Sequence, residues 1–164
     1  MKKLSFLLLC ILCICTYGCS KWLDEHFGIV FYSFYNDSDY PITVYDFLYE
    51  PSNPYPDTTL PEQQPKWLTE IPVNDFSEIT CRKGPQYGDT VSIYVFDADI
   101  LAKYGWDNVR DSNLVLQRYD ITYNEFKHLR AIDALRFPPS EEMRDIKMWP
   151  PYGTYDENGH RVAQ

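Results

Sequence analysis

Carboxylates are the most abundant reactive groups in this chain, with 24 Asp and Glu against 15 Lys and Arg. To do chemistry they must converge. A pair across a pocket can act as acid and base in glycoside hydrolysis, and about six or more oxygens can enclose Ca²⁺. Two spacings are candidates, Asp37-Ser38-Asp39 and Asp97-Ala98-Asp99. Asp37 and Asp39 stand in an Asn-Asp-Ser-Asp run and read as turn residues. Asp97 is placed to cap a helix, with Asp99 favouring its dipole. Cys81 is distant from Cys10, Cys13, Cys15 and Cys19. As a nucleophile it would need a His or Asn beside it, and none is near in sequence, so it reads as a small buried hydrophobe at a strand end. His26, His128 and His160 are far apart. Gly-rich phosphate loops, His-Glu-x-x-His and Gly-x-Ser-x-Gly are all missing from the sequence. The residues therefore predict no catalytic set, no metal site and no cofactor.

Cys19 is the cysteine with a predicted chemistry. Lys2 and Lys3 precede an apolar run from Leu4 to Thr16, and Gly18 is a small residue just before Cys19. The run is too short to cross ~30 Å of hydrocarbon, which takes about 20 helical residues. The segment resembles a bacterial lipoprotein signal, in which the cysteine after a small residue is lipidated and becomes the new N-terminus. The resemblance implies removal of residues 1–18 and a thioether-linked lipid on Cys19. Two or more acyl chains make a stable anchor, at about 0.8 kcal/mol per buried CH₂. The expected address is the bacterial cell envelope, anchored at the outer membrane. Lys21-Trp22-Leu23 stands where an acidic run routes some such proteins to the surface. The periplasmic and outer faces both stay open. Cys10, Cys13 and Cys15 leave with the signal, so the lone Cys81 has no partner for an intramolecular disulfide.

Net charge is −9 over 164 residues, and loss of Lys2 and Lys3 makes the remainder more acidic. Such a chain repels phosphate backbones, which argues against nucleic acid as a partner. Its membrane contact is expected through the lipid on Cys19. The length after residue 18 suffices for one domain with a real core.

The elements that must position these groups are mostly strands. Residues 19–27 read as a tether and 28–139 as a β-rich domain. Gly28–Tyr35 is β-branched and aromatic almost throughout, Ile42–Phe47 alternates, and the turn between them predicts a hairpin. Six prolines between 51 and 72 predict a long loop, in which Tyr55 and Trp67 either stack on a ligand or pin the loop to the sheet. Asp75–Cys81, Val91–Phe96 and Leu114–Tyr119 read as strands. Asp97 caps a helix stopped at Gly105, with a second helical turn over Trp106–Asp111. Thr122-Tyr123-Asn124-Glu125 is a capping box for another helix. Ala131–Phe137 reads equally as helix continuation or strand, and 140–164 as a weakly ordered tail. The fold expected is mainly β, an antiparallel, sandwich-like (Ig-like) single domain with two short helices.

Several landmarks follow one another along the chain. They are Asn36-Asp-Ser-Asp with Ile42-x-Val44-Tyr45, Asp57-Thr58 in the Pro-rich loop, Ile93-Tyr-Val-Phe-Asp-Ala-Asp99, Arg118-Tyr-Asp-Ile-Thr122 and Phe137-Pro138-Pro139. Their order resembles a group of small uncharacterised lipoproteins from Bacteroides-type gut bacteria, over residues 30–139. The resemblance implies a strand just before the two prolines and carries no functional residues. The functional expectation is a non-catalytic interaction or structural module of the envelope, contacting an envelope protein. The alternative is a glycan-binding accessory lipoprotein, motivated by the 16% aromatic content and stacking through Tyr55, Trp67 and Trp106, with Trp149, Tyr152 and Tyr155 as further exposed candidates.

Overall fold

The apolar, β-branched runs become strands in the computed structural model, which describes residues 29–48, 55, 58–82 and 90–162. The chain runs β1 (Ile29–Asn36), β2 (Ile42–Leu48), β3 (Thr69–Ile71), β4 (Asp75–Arg82) and β5 (Thr90–Asp97). Then come α1 (Ala98–Asp111), β6 (Gln117–Thr122), α2 (Tyr123–Ala131), β7 (Arg136–Phe137), a 3₁₀ turn (Glu141–Met143) and β8 (Lys147–Trp149). Two sheets form, one in the order β4-β1-β7 and one in the order β3-β2-β5-β6-β8. The strands pair antiparallel except β1 with β7. The molecule is mainly β, sandwich-like, with two helices. Among the described residues no helix is long and apolar enough to cross a membrane. The signal, Cys19 and His26 lie outside the described residues.

The main core fills the space between the sheets. Tyr32 and Phe34 of β1 and Ile79 of β4 meet Ile42, Val44, Ile93, Val95, Tyr119 and Ile121 of the larger sheet. Alternate residues of a strand share a face, so each contributes its every-second apolar side chain. Helix α2 closes this core with Phe126 and Leu129, and the Phe126 ring meets Tyr32 edge-on at 4.2 Å. A second core lies on the opposite face of the larger sheet, where Leu60 of the loop and Trp106 and Val109 of α1 cover Tyr94 and Phe96. Strand β5 is thus covered on both sides, and all six residues Val91–Phe96 are buried.

Both helix starts follow the expected chemistry. Asp97 Oδ1 accepts from the Ile100 amide at 2.9 Å. Thr122 and Glu125 exchange their capping bonds, the Thr122 amide donating to Glu125 Oε2 at 2.8 Å. Gly105, at φ +75°, kinks α1 where a stop was predicted, and the helical turn resumes at Trp106. In Ala131–Phe137 the helix ends at Ala131, Asp133 turns the chain at φ +49°, and Arg136–Phe137 form the short strand.

Three expectations are corrected. The predicted β1–β2 hairpin does not form, because β1 pairs with β4 and β7 while β2 crosses into the other sheet. Asn36 spans the crossing and is fully buried. Its Nδ2 donates to the carbonyls of Tyr40 at 2.9 Å, Ile71 at 3.1 Å and Pro72 at 3.0 Å. Its Oδ1 accepts from the Ser38 amide at 3.1 Å and hydroxyl at 2.5 Å. Those bonds tie the end of β1 to the β1–β2 connection and to the end of β3. Second, the strand expected at Leu114–Tyr119 is displaced to Gln117–Thr122. The Leu114 amide first bonds back to Val109, and Val115 sinks into the second core.

Third, residues 140–162 are packed rather than weakly held. Met143 and Ile146 are buried in the main core, and β8 pairs with β6. The Asp156–Gly159 turn docks on the β1–β2 connection, where Tyr40 Oη donates to the Gly159 carbonyl at 2.6 Å. Gly159 sits at φ +85°, and a Cβ there would lie 2.7 Å from Ser38 Cβ. A side chain is excluded twice over, by backbone and by space.

Asn36→Ala removes the side-chain donor to the Ile71 and Pro72 carbonyls and the acceptor of Ser38, while the Tyr40 carbonyl keeps the Ser38 hydroxyl at 2.9 Å. Urea unfolding is expected to show a loss of about 2–4 kcal/mol, while the exposed Asn124→Ala stays within ~0.5 kcal/mol.

Candidate functional site

Strand register sets two rows of side chains on the outer face of the larger sheet. Ser92, Asp120 and Lys147 stand opposite one another on β5, β6 and β8. Tyr94, Arg118 and Trp149 form the next row, two residues along and so on the same face. The long loop and α1 lie over both rows.

Asp120 organises the first row. Its side chain is 1% exposed. Ser92 Oγ donates to Oδ1 at 2.5 Å, and Arg118 Nε lies 3.2 Å from the same oxygen. Tyr55 Oη donates to Oδ2 at 3.4 Å, and Lys147 Nζ is 3.7 Å from it. Lys147 also donates to Tyr55 Oη, and that bond raises the lysine pKa. Its ammonium lies 5.0 Å from the Tyr55 ring centroid. A buried carboxylate needs such partners to stay charged. These contacts anchor the Pro-rich loop at Tyr55.

Further along, Tyr94 Oη donates to the Thr58 carbonyl at 2.9 Å and Trp106 Nε1 to the Pro61 carbonyl at 3.0 Å. Arg110 bonds the Glu62 carbonyl and pairs with Asp111 at 2.7 Å and Asp107 at 3.2 Å. The loop is therefore stitched down at intervals. Between the stitches a cleft of about 490 Å³ remains open. Leu60, Tyr94 and Val115 contribute apolar surface, and Thr58, Thr59 and Asn113 contribute hydroxyl and amide groups. Arg118 and Trp149 line its sheet side. Arg118 Nε is buried without an aligned acceptor, so its contact with Asp120 is an ion pair and not a directed hydrogen bond. A second, more open hollow of about 640 Å³ lies beside Glu62, Gln63 and Gln64, where the cation, Arg110, is already engaged.

The three predicted stacking residues do not converge. Trp67 is 79% exposed, Tyr55 is half-buried under Lys147, and Trp106 is only 4% exposed. Trp106 is corrected to a core residue, because α1 turns it onto the Phe96 ring at 5.7 Å. Asp37 pairs with Arg136 at 2.9 Å and Asp39 with His160 at 3.0 Å, so both serve the β1–β2 connection. His128 is exposed on α2. Cys81 lies on β4 opposite Val30. The reading of its side chain, like that of Cys19, falls outside the described residues. Among the described residues no group of three His, Cys, Asp or Glu is placed to hold a metal.

Ser92, Arg118, Asp120 and Lys147 were not singled out from the sequence. Alternation around Tyr119 and Ile121 does put Arg118 and Asp120 on the face away from the main core. Their meeting with Ser92 and Lys147 depends on register, which that alternation leaves open. No protein-family profile, curated protein or solved structure matches the chain.

Two measurements probe this face. Asp120→Asn leaves Arg118 without its counter-charge and is expected to lower stability by about 2–4 kcal/mol, whereas Lys147→Ala costs under ~1 kcal/mol. Both are read by chemical denaturation. Alkaline titration addresses the tyrosines. Burial, aided by Asp46, pushes the Tyr45 phenol up to about 12. The unfolded phenol ionises near 10, so the native state holds the extra proton between about pH 10 and 12, and stability falls as pH rises through that window. Tyr45→Phe is expected to flatten this fall, and an unchanged pH slope would contradict the assignment.

Proposed function

We propose that the chain is a lipid-anchored, non-catalytic interaction module of the bacterial cell envelope that holds a ligand at the Arg118–Trp149 cleft. The reading is carried by one observation, a cleft with a cation and an exposed indole on a sheet face otherwise covered by loop and helix. Such equipment suits retention and orientation of a ligand. The anchor rests on the ordered series Lys2-Lys3, apolar run, Gly18-Cys19. In this reading the domain works close to a membrane surface and meets its partner there.

A glycan-binding role is the second reading. It is favoured by Trp149, 44% exposed on the cleft wall, rather than by the dispersed set of Tyr55, Trp67 and Trp106.

Metabolic labelling with a clickable fatty acid is expected to mark the wild-type chain and not Cys19→Ala. The variant should also leave the membrane fraction. Equal labelling of the two proteins would refute the anchor.

A further inference from the structure

The cleft is more specific than a hollow of its size requires. Arg118 is held at one end by Asp120, and its side chain is 23% exposed. Among the described residues its terminal nitrogens meet no protein acceptor. A covered, positioned guanidinium with an open fork matches the two oxygens of a carboxylate in one plane. The surrounding charges bear on the valence of the anion. Asp120 lies against Arg118 and draws on Lys147 as well, while Asp111 on the cleft wall is shared with Arg110. Cations and acids nearly balance, which favours a single negative charge over the nearly double charge of a phosphate monoester.

The body of the ligand follows from the side chain beside Arg118 on the same sheet face. Trp149 stands opposite Arg118 in the strand register. Its indole is half open to solvent, and it has no aromatic partner among the described residues. Around it the cleft mixes apolar floor with the hydroxyl and amide groups of Thr58, Thr59 and Asn113. A ring with one apolar face and a hydroxylated edge fits this mixture better than a wholly apolar body does.

We infer that the cleft binds a sugar acid, with a hexuronate carboxylate on the Arg118 fork and the ring face against Trp149. The inference rests on the reading of this face as a binding surface and adds the class of ligand.

The test uses the full chain in detergent micelles, with ligand-detected NMR and tryptophan fluorescence. The probes are a hexuronic acid trisaccharide, its neutral hexose counterpart, and a short peptide with a free or an amidated C-terminus. The acidic sugar is expected to bind saturably and the neutral one about tenfold or more weaker. Arg118→Lys keeps the charge and loses the fork, and should weaken acidic-sugar binding about tenfold. Trp149→Ala, at an exposed position, should do the same with an unchanged melting temperature, and Trp67→Ala should bind as wild type does. Equal binding of the neutral sugar would overturn the carboxylate assignment while leaving the binding face in place. Preference for the free peptide C-terminus would replace the sugar by a peptide. Binding insensitive to both Arg118→Lys and Trp149→Ala, or no saturable binding of any probe, would overturn the site itself. The anchor would be untouched, since it is read separately at Cys19.

Discussion

The architecture depends on one buried amide. Asn36 ends β1, yet its side chain bonds carbonyls at Tyr40, Ile71 and Pro72, which belong to the β1–β2 connection and the end of β3. Nδ2 has two hydrogens for three acceptors, so at least one is shared. In doing so it joins the edge of the larger sheet to the middle strand of the smaller one. The chain is turned across the gap between sheets instead of folding back beside itself. Ser38, bonded to the same amide, then forms the floor on which Gly159 rests. The sheet crossing and the C-terminal clamp therefore share a few buried polar groups. Polar contacts of this kind add little net stability when complete, but each is costly to leave unmade, which gives the crossing its single geometry.

Around that crossing, burial is asymmetric. The smaller sheet shields one face of β5, and the loop with α1 shields the other. The outer side of the smaller sheet stays open, with Phe76 exposed against Tyr35 and the Arg136 guanidinium 5.3 Å from the Tyr35 ring. The arrangement makes β5 the most enclosed strand. A groove can persist on its far side only where the loop is held at points rather than along its length.

The Pro-rich loop is held in that way. Its prolines lack N–H groups and cannot extend a ladder, so its attachments are side chain to carbonyl, from Tyr94 and Trp106, together with Arg110. Tyr55 supplies a further tie through Asp120. Among the described residues these ties leave a gap over the sheet. That gap contains Arg118, whose counter-ion is buried and whose fork is open.

Local chemistry was legible in the residues themselves. The Asp97 cap, the Thr122–Glu125 box, the kink at Gly105 and the alternation of Ile42–Phe47, Asp75–Cys81 and Val91–Phe96 each depend on neighbours a few positions away, and each appears where the sequence puts it. So do the mainly β class and the turn at Asp156–Gly159. The tertiary structure alone decided which strands pair, because a strand's own alternation does not name its partner, and the crossing between sheets is spanned by the buried Asn36 amide. It also decided the fate of the aromatics: Trp106 and Trp67 carry the same side chain, and one is core while the other is exposed. The cleft belongs to the same category. Its Arg, Trp and buried Asp are separated in sequence and meet only through the register of β5, β6 and β8, which is fixed by contacts distant along the chain.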